Sequence, residues 1–390
     1  MSTSLADTLI VGGGVVGLSL AARLGGAGLA VTLADARQPE LDWTPGSVDL
    51  RVYAISRASE RLFTELGLWP RLIELGVSPF REMRVWDAGG SGAIHFDSAE
   101  VGQPHLGHII EERVIVKALC EALAVLPNVT LIWPAPVQAF TGARGVTLAD
   151  GRTLEGRLLV GADGADSQVR DAAGIHLREH DYGQRAIVAV VATQLPHRET
   201  AWQRFLPTGP LAFLPLADGR CSIVWSVERA EAERLMTLDA AAFCAALTQA
   251  FDGRLGQVLD CGERKLFALR RRHADAYVKP GVALIGDAAH VIHPLAGQGV
   301  NLGLGDVREL ADVVIDAVRR GRDPGDYGVL RRYERARKGA NLAMMTAMDA
   351  FKHLFGVSAQ PVRLLRNAGL SVVDAAAPLK HRFMRYAMGL

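Results

Sequence analysis

The chain has 390 residues, 49% of them hydrophobic and 22% charged, with 43 Lys and Arg against 42 Asp and Glu. That length is enough for a sizeable core and more than one domain, and the charge balance excludes a chain-wide field that would draw in nucleic acid. The composition is that of a folded globular protein, so any electrostatic partner site must be local.

The start alternates. Thr8 to Val11 reads as a buried strand, Val15 to Leu24 as a helix, Gly28 as its stop and Ala30 to Ala34 as a second strand, which is a βαβ beginning. Between the first strand and the helix lies Gly12-Gly13-Gly14-Val15-Val16-Gly17, a GxGxxG. Gly12 allows the tight turn, Gly14 the close approach of a pyrophosphate and Gly17 the packing of helix on strand, while the helix start offers free N–H groups to the phosphates. Asp35 ends the second strand, where an acid binds a ribose hydroxyl and disfavours a 2′-phosphate. Dinucleotide binding follows from the combination, not from the glycines alone.

Arg51 to Leu75 reads as mostly helical, Arg81 to Asp97 as a hairpin, and Ile109 to Val125 as a helix. A second hairpin is expected around Asp150-Gly151, then a buried strand ending near Ala162. It runs into Gly161-Ala162-Asp163-Gly164-Ala165-Asp166-Ser167, then Val169-Arg170. Asp and Gly also suit a capped turn, so this motif alone leaves a purely local role open. Ile187 to Gln194, Ala201 to Leu206, Leu211 to Leu216 and Cys221 to Val227 read as successive strands, with Pro207, Gly209 and Asp218-Gly219 in the turns. They interrupt the α/β pattern, which resumes near Val282.

The strand Val282 to Ile285 ends in Gly286-Asp287, and a loop with Pro294 and Gly297-Gln298-Gly299 leads to another helix start. Ligands of open α/β sheets lie at the carboxyl ends of strands, so Asp287 should face sugar or ribitol hydroxyls. The N–H groups of Gly299, Val300 and Asn301 can stabilise negative charge on a ring. His290 and His293 lack a further ligand, so they read as packing rather than metal-binding residues. The last sixty residues read as helical. Cys120, Cys221, Cys244 and Cys261 show no CxxC spacing, which fits reduced thiols and no zinc site. The first residues lack a secretory leader, and no apolar run reaches the ~18 residues that cross a bilayer. The chain is expected on the cytoplasmic side, with peripheral contact at the inner face of the membrane left open.

In this order, GxGxxG, then GADG, then GDAAH…P…GQG.N, the motifs resemble the FAD-dependent aromatic hydroxylases of the para-hydroxybenzoate hydroxylase type. "DLRVYAISRASERLFTELGLW", "AWQRFLPTGPLAFLPL" with "SIVWS", "GQGVNLGLGDVRELADVV" and "RNAGLSVVDAAAPLKHRFMRYAMGL" are similar to the UbiH/UbiF/VisC group, the ring hydroxylases of ubiquinone biosynthesis. The resemblance spans essentially the whole chain. It implies bound FAD, transient NAD(P)H, O2, and hydroxylation of a polyprenylated phenol through a flavin C4a-hydroperoxide, in a pocket that keeps water out. It also implies that Gly12, Gly14, Gly17 and Asp35 hold the ADP half, Asp287 the ribitol region, and Pro294 with Gly297, Gln298, Gly299, Val300 and Asn301 the isoalloxazine. Asp163 and Gly164 fall on the motif associated with FAD and NAD(P)H. Arg51 falls on an arginine near pyrophosphate or flavin. Many relatives have Arg, Gln or Asn at the start of the helix that here begins Glu111-Glu112-Arg113, a departure, and Arg113 is the further cofactor candidate there.

The implied fold class is α/β with an α+β insertion: a doubly wound βαβ FAD-binding domain, an inserted, mainly antiparallel substrate sheet and a helical C-terminus. Its segments are FAD-binding at 1–75, 106–180 and 271–330, substrate-binding at 76–105 and 181–270, and C-terminal at 331–390. Trp202, Phe205, Phe213, Leu214, Pro215 and Trp225 are candidate pocket walls. No catalytic base is named. The C-terminal Phe351, Leu354, Phe355, Leu364, Leu365, Phe383 and Met384, interleaved with Lys352, Arg363, Arg366, Lys380, Arg382 and Arg385, suit an anionic membrane, partner biosynthetic proteins or a plain helical cap. Two rivals stay open: a soluble hydroxylase of a small aromatic acid, and a flavin-bearing subunit without turnover.

Overall fold

The computed structural model describes residues 5–44, 46–292, 299–356, 360, 367–369, 372–374 and 376–390. In chain order these form β1 (Ala6–Val11), α1 (Val15–Gly26), β2 (Val31–Ala34), β3 (Val52–Ser56), α2 (Arg57–Glu65), α3 (Trp69–Leu75), β4 (Ser78–Phe80), β5 (Glu82–Asp87), β6 (Ala93–Asp97), β7 (Gly107–Glu111) and α4 (Glu112–Ala124). There follow β8 (Val129–Ile132), β9 (Val137–Thr141), β10 (Gly145–Leu148), β11 (Thr153–Gly161), α5 (Gln168–Ala172), β12 (Leu177–Thr193), β13 (Thr200–Leu206), β14 (Gly209–Pro215), β15 (Cys221–Glu228), α6 (Arg229–Thr237) and α7 (Ala240–Ala250). Then come β16 (Val258–Ala274), β17 (Val278–Lys279), β18 (Val282–Leu284), β19 (His290–Val291), α8 (Gly299–Arg319), α9 (Tyr327–Gly356) and a C-terminal helix (Ala377–Met388).

The first sheet runs β17-β18-β11-β1-β2-β8, with β10 and β9 continuing from β11. Strands β18, β11, β1, β2 and β8 are parallel neighbours, and Val11, Gly161 and Leu284 stand level at their carboxyl ends. Parallel strands are buried on both faces, which is why they read as near-continuous apolar runs. Leu9, Ile10, Leu33, Val160 and Leu284 are buried with Leu18, Leu119 and Val307 of the covering helices. The three glycine-acid motifs thus leave one edge of one sheet side by side.

The second sheet is β19-β16-β12-β15-β14-β13-β5-β6, antiparallel except where β13 pairs with β5. Its long pair, β12 with β16, reaches back to the third motif through β19. A small sheet, β3-β7-β4, packs Ile109 against Val190 and Leu214 of the second sheet. Helices α6 and α7 cover the other face of that second sheet, with Leu235, Phe243 and Leu247 buried against Ile187, Ile223 and Val227.

Two expectations of continuous helix are corrected. Residues 52–56 and 107–111 are paired strands, with Tyr53 opposite Ile110 and Ala54 opposite Ile109. Their β-branched and aromatic residues favour a paired, half-buried strand over the helix suggested by the downstream periodicity. Helix α4 therefore begins at Glu112, as α2 begins at Arg57 behind the Ser56 cap. All four cysteines are free; burial pushes the Cys221 thiol up to about 12 and that of Cys120 to about 11, so both stay protonated near neutrality.

Candidate active site

The approach of the three motifs is set by glycine. A Cβ on Gly12, whose φ is +114°, would stand 2.2 Å from the Ala162 carbonyl oxygen, and one on Gly17 would stand 2.0 Å from the Gly12 oxygen. The first motif is therefore pressed against the second. A Cβ on Gly303 of α8 would meet the Val16 side chain at 2.7 Å and the Gly286 Cα at 3.3 Å, which seats the third motif against the same helix start. Gly14, by contrast, faces open space.

Helix α1 starts at Gly14 with no capping side chain and no acid in its first turn, so its leading N–H groups keep a partial positive charge for an anion. Asp35 accepts from the Gly13 N–H at 2.6 Å and the Arg37 N–H at 2.8 Å. The acid is thus fixed beside the glycine turn with further lone pairs available. Asp287 is reachable by water although protein surrounds it closely, as at the floor of a deep crevice. That surrounding raises its pKa, against the opposing charges of His290 and Arg51. An open cradle at Gly14, an uncapped helix start and two acids at strand ends fit a dinucleotide such as FAD.

Arg51 lies at this crevice, paired with Glu112 at 3.3 Å and largely exposed. Tyr53 bonds Glu112, and burial, with the charges of Glu112 and Asp287, drives its phenol well above the usual value. Sequence reasoning did not single out Tyr53, and at the helix start Glu111-Glu112-Arg113 it favoured Arg113 over Glu112, which carries no motif. Arg113, the further cofactor candidate, is engaged within the chain. Its Nε donates to Glu111 at 2.7 Å, its Nη1 to Ser47 Oγ at 2.9 Å and its Nη2 to the Ser47 carbonyl, and it stacks 4.6 Å over Trp43. The guanidinium is spent on the segment leading to β3.

In the second motif the Asp163 carboxylate accepts from Ser167 Oγ at 2.5 Å and from the Val169 N–H at 3.1 Å, and so organises the start of α5. Gly164 has φ +80°. The buried Arg170 then donates to the carbonyls of Ala165 at 3.0 Å and Ala288 at 3.3 Å, tying the second motif to the third. Behind Asp287, Asp306 of α8 is fully buried. It accepts from the Gly286 N–H at 3.1 Å, His290 Nε2 at 2.6 Å, Arg337 Nε at 2.8 Å and Asn341 Nδ2 at 3.2 Å. Burial alone would raise its pKa, but His290 and Arg337 outweigh burial and lower it. His290 is therefore a strut between β19 and α8.

Gly299 and Val300 open α8. The Asn301 side chain accepts from the Ser56 N–H at 2.9 Å and Ser59 Oγ at 2.7 Å and donates to the Ala54 carbonyl at 2.8 Å, so it straps this helix start to β3. Pro294, Gly297 and Gln298, with His293, lie outside the described residues, as do Arg363, Leu364, Leu365 and Arg366.

The candidate pocket walls separate by strand alternation. Trp202, Phe213 and Trp225 pack in the core under α6 and α7, Phe213 stacked on Phe251 at 3.8 Å. Pro215, two residues from Phe213 and buried, points the same way. Phe205 and Leu214 face the opposite side. Phe205 is stacked on Phe355 at 3.9 Å, whereas Leu214 packs with Phe80, Ile109 and Val190 beneath β3 and is half-buried.

Among the described residues, Glu60, His105 and His108 are grouped closely enough to ligate a metal. The Arg57 guanidinium contacts both Glu60 and His105, so a fixed cation already neutralises the carboxylate. Burial opposes ionisation of Glu60, but side-chain hydrogen bonds from His105, His108 and Arg57 outweigh it and hold the carboxyl far below the usual carboxylate range.

Comparison with known proteins places the same residues in context. The FAD binding domain family matches residues 5–348. A ubiquinone hydroxylase, UbiL, of Rhodospirillum rubrum is 42% identical over 388 residues, covering 99% of this chain and 90% of that protein. The 3-demethoxyubiquinol 3-hydroxylase of Escherichia coli is 39% identical over 393 residues, covering all of both. The crystal structure of p-nitrophenol 4-monooxygenase PnpA from Pseudomonas putida superposes with a TM-score of 0.80 at 18% identity over 98% of each chain, a likeness of fold.

Proposed function

We propose, because the chain belongs to the FAD-binding-domain family and is an FAD-dependent aromatic-ring monooxygenase, that it hydroxylates the ring of a polyprenylated phenol on the route to ubiquinone, consuming NAD(P)H and O2. The observation that carries this is the convergence of Gly12, Ala162 and Gly286 around the start of α1, with Asp35 just past the end of β2 and Asp287 just past the end of β18, on either side of β1 and β11. The names and near-complete coverage of the two relatives support the substrate class.

Gly12, Gly14 and Gly17 would let the α1 start meet the pyrophosphate, Asp35 a ribose hydroxyl and Asp287 a ribitol hydroxyl. Arg51 would balance phosphate charge at the crevice. The Gly299 and Val300 N–H groups would face the flavin ring, held there by the Asn301 strap. Asp163 and Gly164 act through the shape of the α5 turn, with Asp163 already committed to Ser167 and Val169. FAD, when bound, would supply the redox chemistry that passes two electrons from NAD(P)H to O2, one oxygen atom entering the ring and the other leaving as water. The chain's own part is to orient the phenol and exclude water: Leu214, Val190, Ile109 and Phe80 supply an apolar wall between β3 and the second sheet. On this reading 1–75, 106–180 and 271–330 serve the cofactor and 76–105 with 181–270 the substrate.

The test is anaerobic reduction of the bound flavin by NADH and NADPH in stopped flow, with and without prenylated phenols in detergent. Acceleration by one phenol and a hydroxylated product on admitting oxygen are expected. Acceleration only by a small aromatic acid, or by no phenol at all, would sink the proposal.

A further inference from the structure

Among the described helices, none is long and apolar enough to cross a membrane. The C-terminal helix nevertheless carries two apolar stripes. Its inner stripe, at intervals of four, is Lys380, Met384 and Met388; the two methionines pack with Leu106, Phe80 and Phe96. Lys380 Nζ locks the register by donating to Glu100 at 2.9 Å and to the His95 carbonyl at 3.1 Å. This leaves Leu379, Phe383 and Tyr386, at intervals of four and three, on another face of the helix, with Leu390 just beyond its end, from 39% to 62% exposed. The stripe borders an open cleft of about 870 Å³ that Arg382 and Arg385 also line.

We propose that this outer stripe docks on an anionic lipid bilayer, an inference that rests on the polyprenylated substrate proposed above. The helix has no acidic residue, in a chain whose charges otherwise balance. Among the described residues neither Arg382 nor Arg385 is paired with a carboxylate. An apolar stripe flanked by unpaired arginines, with a tyrosine among its apolar side chains, matches the boundary between acyl chains and phosphates. A second copy of this chain is the poorer occupant, because a two-fold contact along the stripe would bring four arginines together with no acid on either helix. A bilayer contact would also place the protein where a polyprenylated phenol partitions.

The experiment is flotation of the full-length flavoprotein with vesicles of phosphatidylcholine alone and with one quarter phosphatidylglycerol, at low and high salt, beside sedimentation without lipid. Binding to the anionic vesicles that falls with salt is expected. R382Q/R385Q should weaken it roughly 30-fold, at the effect expected of two surface cations, and F383S/Y386S should weaken it at either salt. Both variants should keep flavin content and turnover of prenylated phenol in detergent. Loss of detergent turnover in the wild type would count against the proposed function, whereas retained turnover with no vesicle binding counts against this surface. Equal binding by wild type and both variants, or salt-independent self-association through the stripe, overturns the proposal.

Discussion

Replacing Asp306 with Asn removes one charge from a site with no access to water. The wild-type carboxylate is 0% exposed and answers four donors: the Gly286 N–H, His290, Arg337 and Asn341. Asparagine has one acceptor oxygen and must turn an NH₂ toward a donor, and Arg337, itself mostly buried, loses its only carboxylate among the described residues. Breaking a buried pair by neutralising one partner costs about 3–5 kcal/mol, because the other charge remains desolvated. The thermal midpoint of the flavin-free protein should fall by roughly 4–6 °C. Since Gly286 adjoins Asp287, flavin affinity should fall too. The double variant D306N/R337M, which removes both charges, should recover part of the loss, so the single effects should not add. Thermal and urea unfolding with and without added FAD measure these terms. A D306N protein within about 1 kcal/mol of wild type, or a double variant worse than the sum of both singles, would refute the reasoning.

Four further outcomes follow from the same structure. D287A should keep its circular dichroism yet bind FAD about 10- to 100-fold more weakly, the loss of one charge-assisted hydrogen bond, read by flavin release during gel filtration. G17A should be worse, since its Cβ meets backbone at 2.0 Å and must push α1 away from the turn; purified protein should be nearly colourless. W225A should cost about 3–5 kcal/mol of stability with an unchanged KM for the phenol, whereas L214A should raise KM and divert reducing equivalents to peroxide, so a KM effect from Trp225 would reverse the assignment of sheet faces. Burial holds the His273 pKa down at about 4, with His290 and Lys338 charges adding to the effect. The unfolded chain therefore binds this proton more readily. Its contribution is complete above about pH 6.5 and is lost as pH falls toward 4, by up to about 3 kcal/mol; urea midpoints of wild type and H273N across that range should converge on acidification.

Much of the cofactor half could be read from local pattern. Strand, glycine turn, helix and terminal acid from Thr8 to Asp35 are set by side-chain period and by the backbone freedom of Gly12, and both are properties of contiguous residues. The same holds for Asp287 at the end of β18 and for the alternation of β13, β14 and β15. Alternation says that Phe213 and Leu214 point to opposite faces; it does not say which face meets α6 and α7 and which meets β3. That choice, and with it the composition of the pocket wall, was made when distant segments closed over the sheet. Tertiary structure likewise decided that Arg113 serves Ser47 and Trp43, that Arg170 bridges two loops, and that Asp306 collects donors from the turn after β18, from β19 and from α9. Hydrogen bonds and ion pairs of this kind join residues tens to hundreds of positions apart. Their partners share no period, and only the closed chain brings a buried charge to its counter-ion.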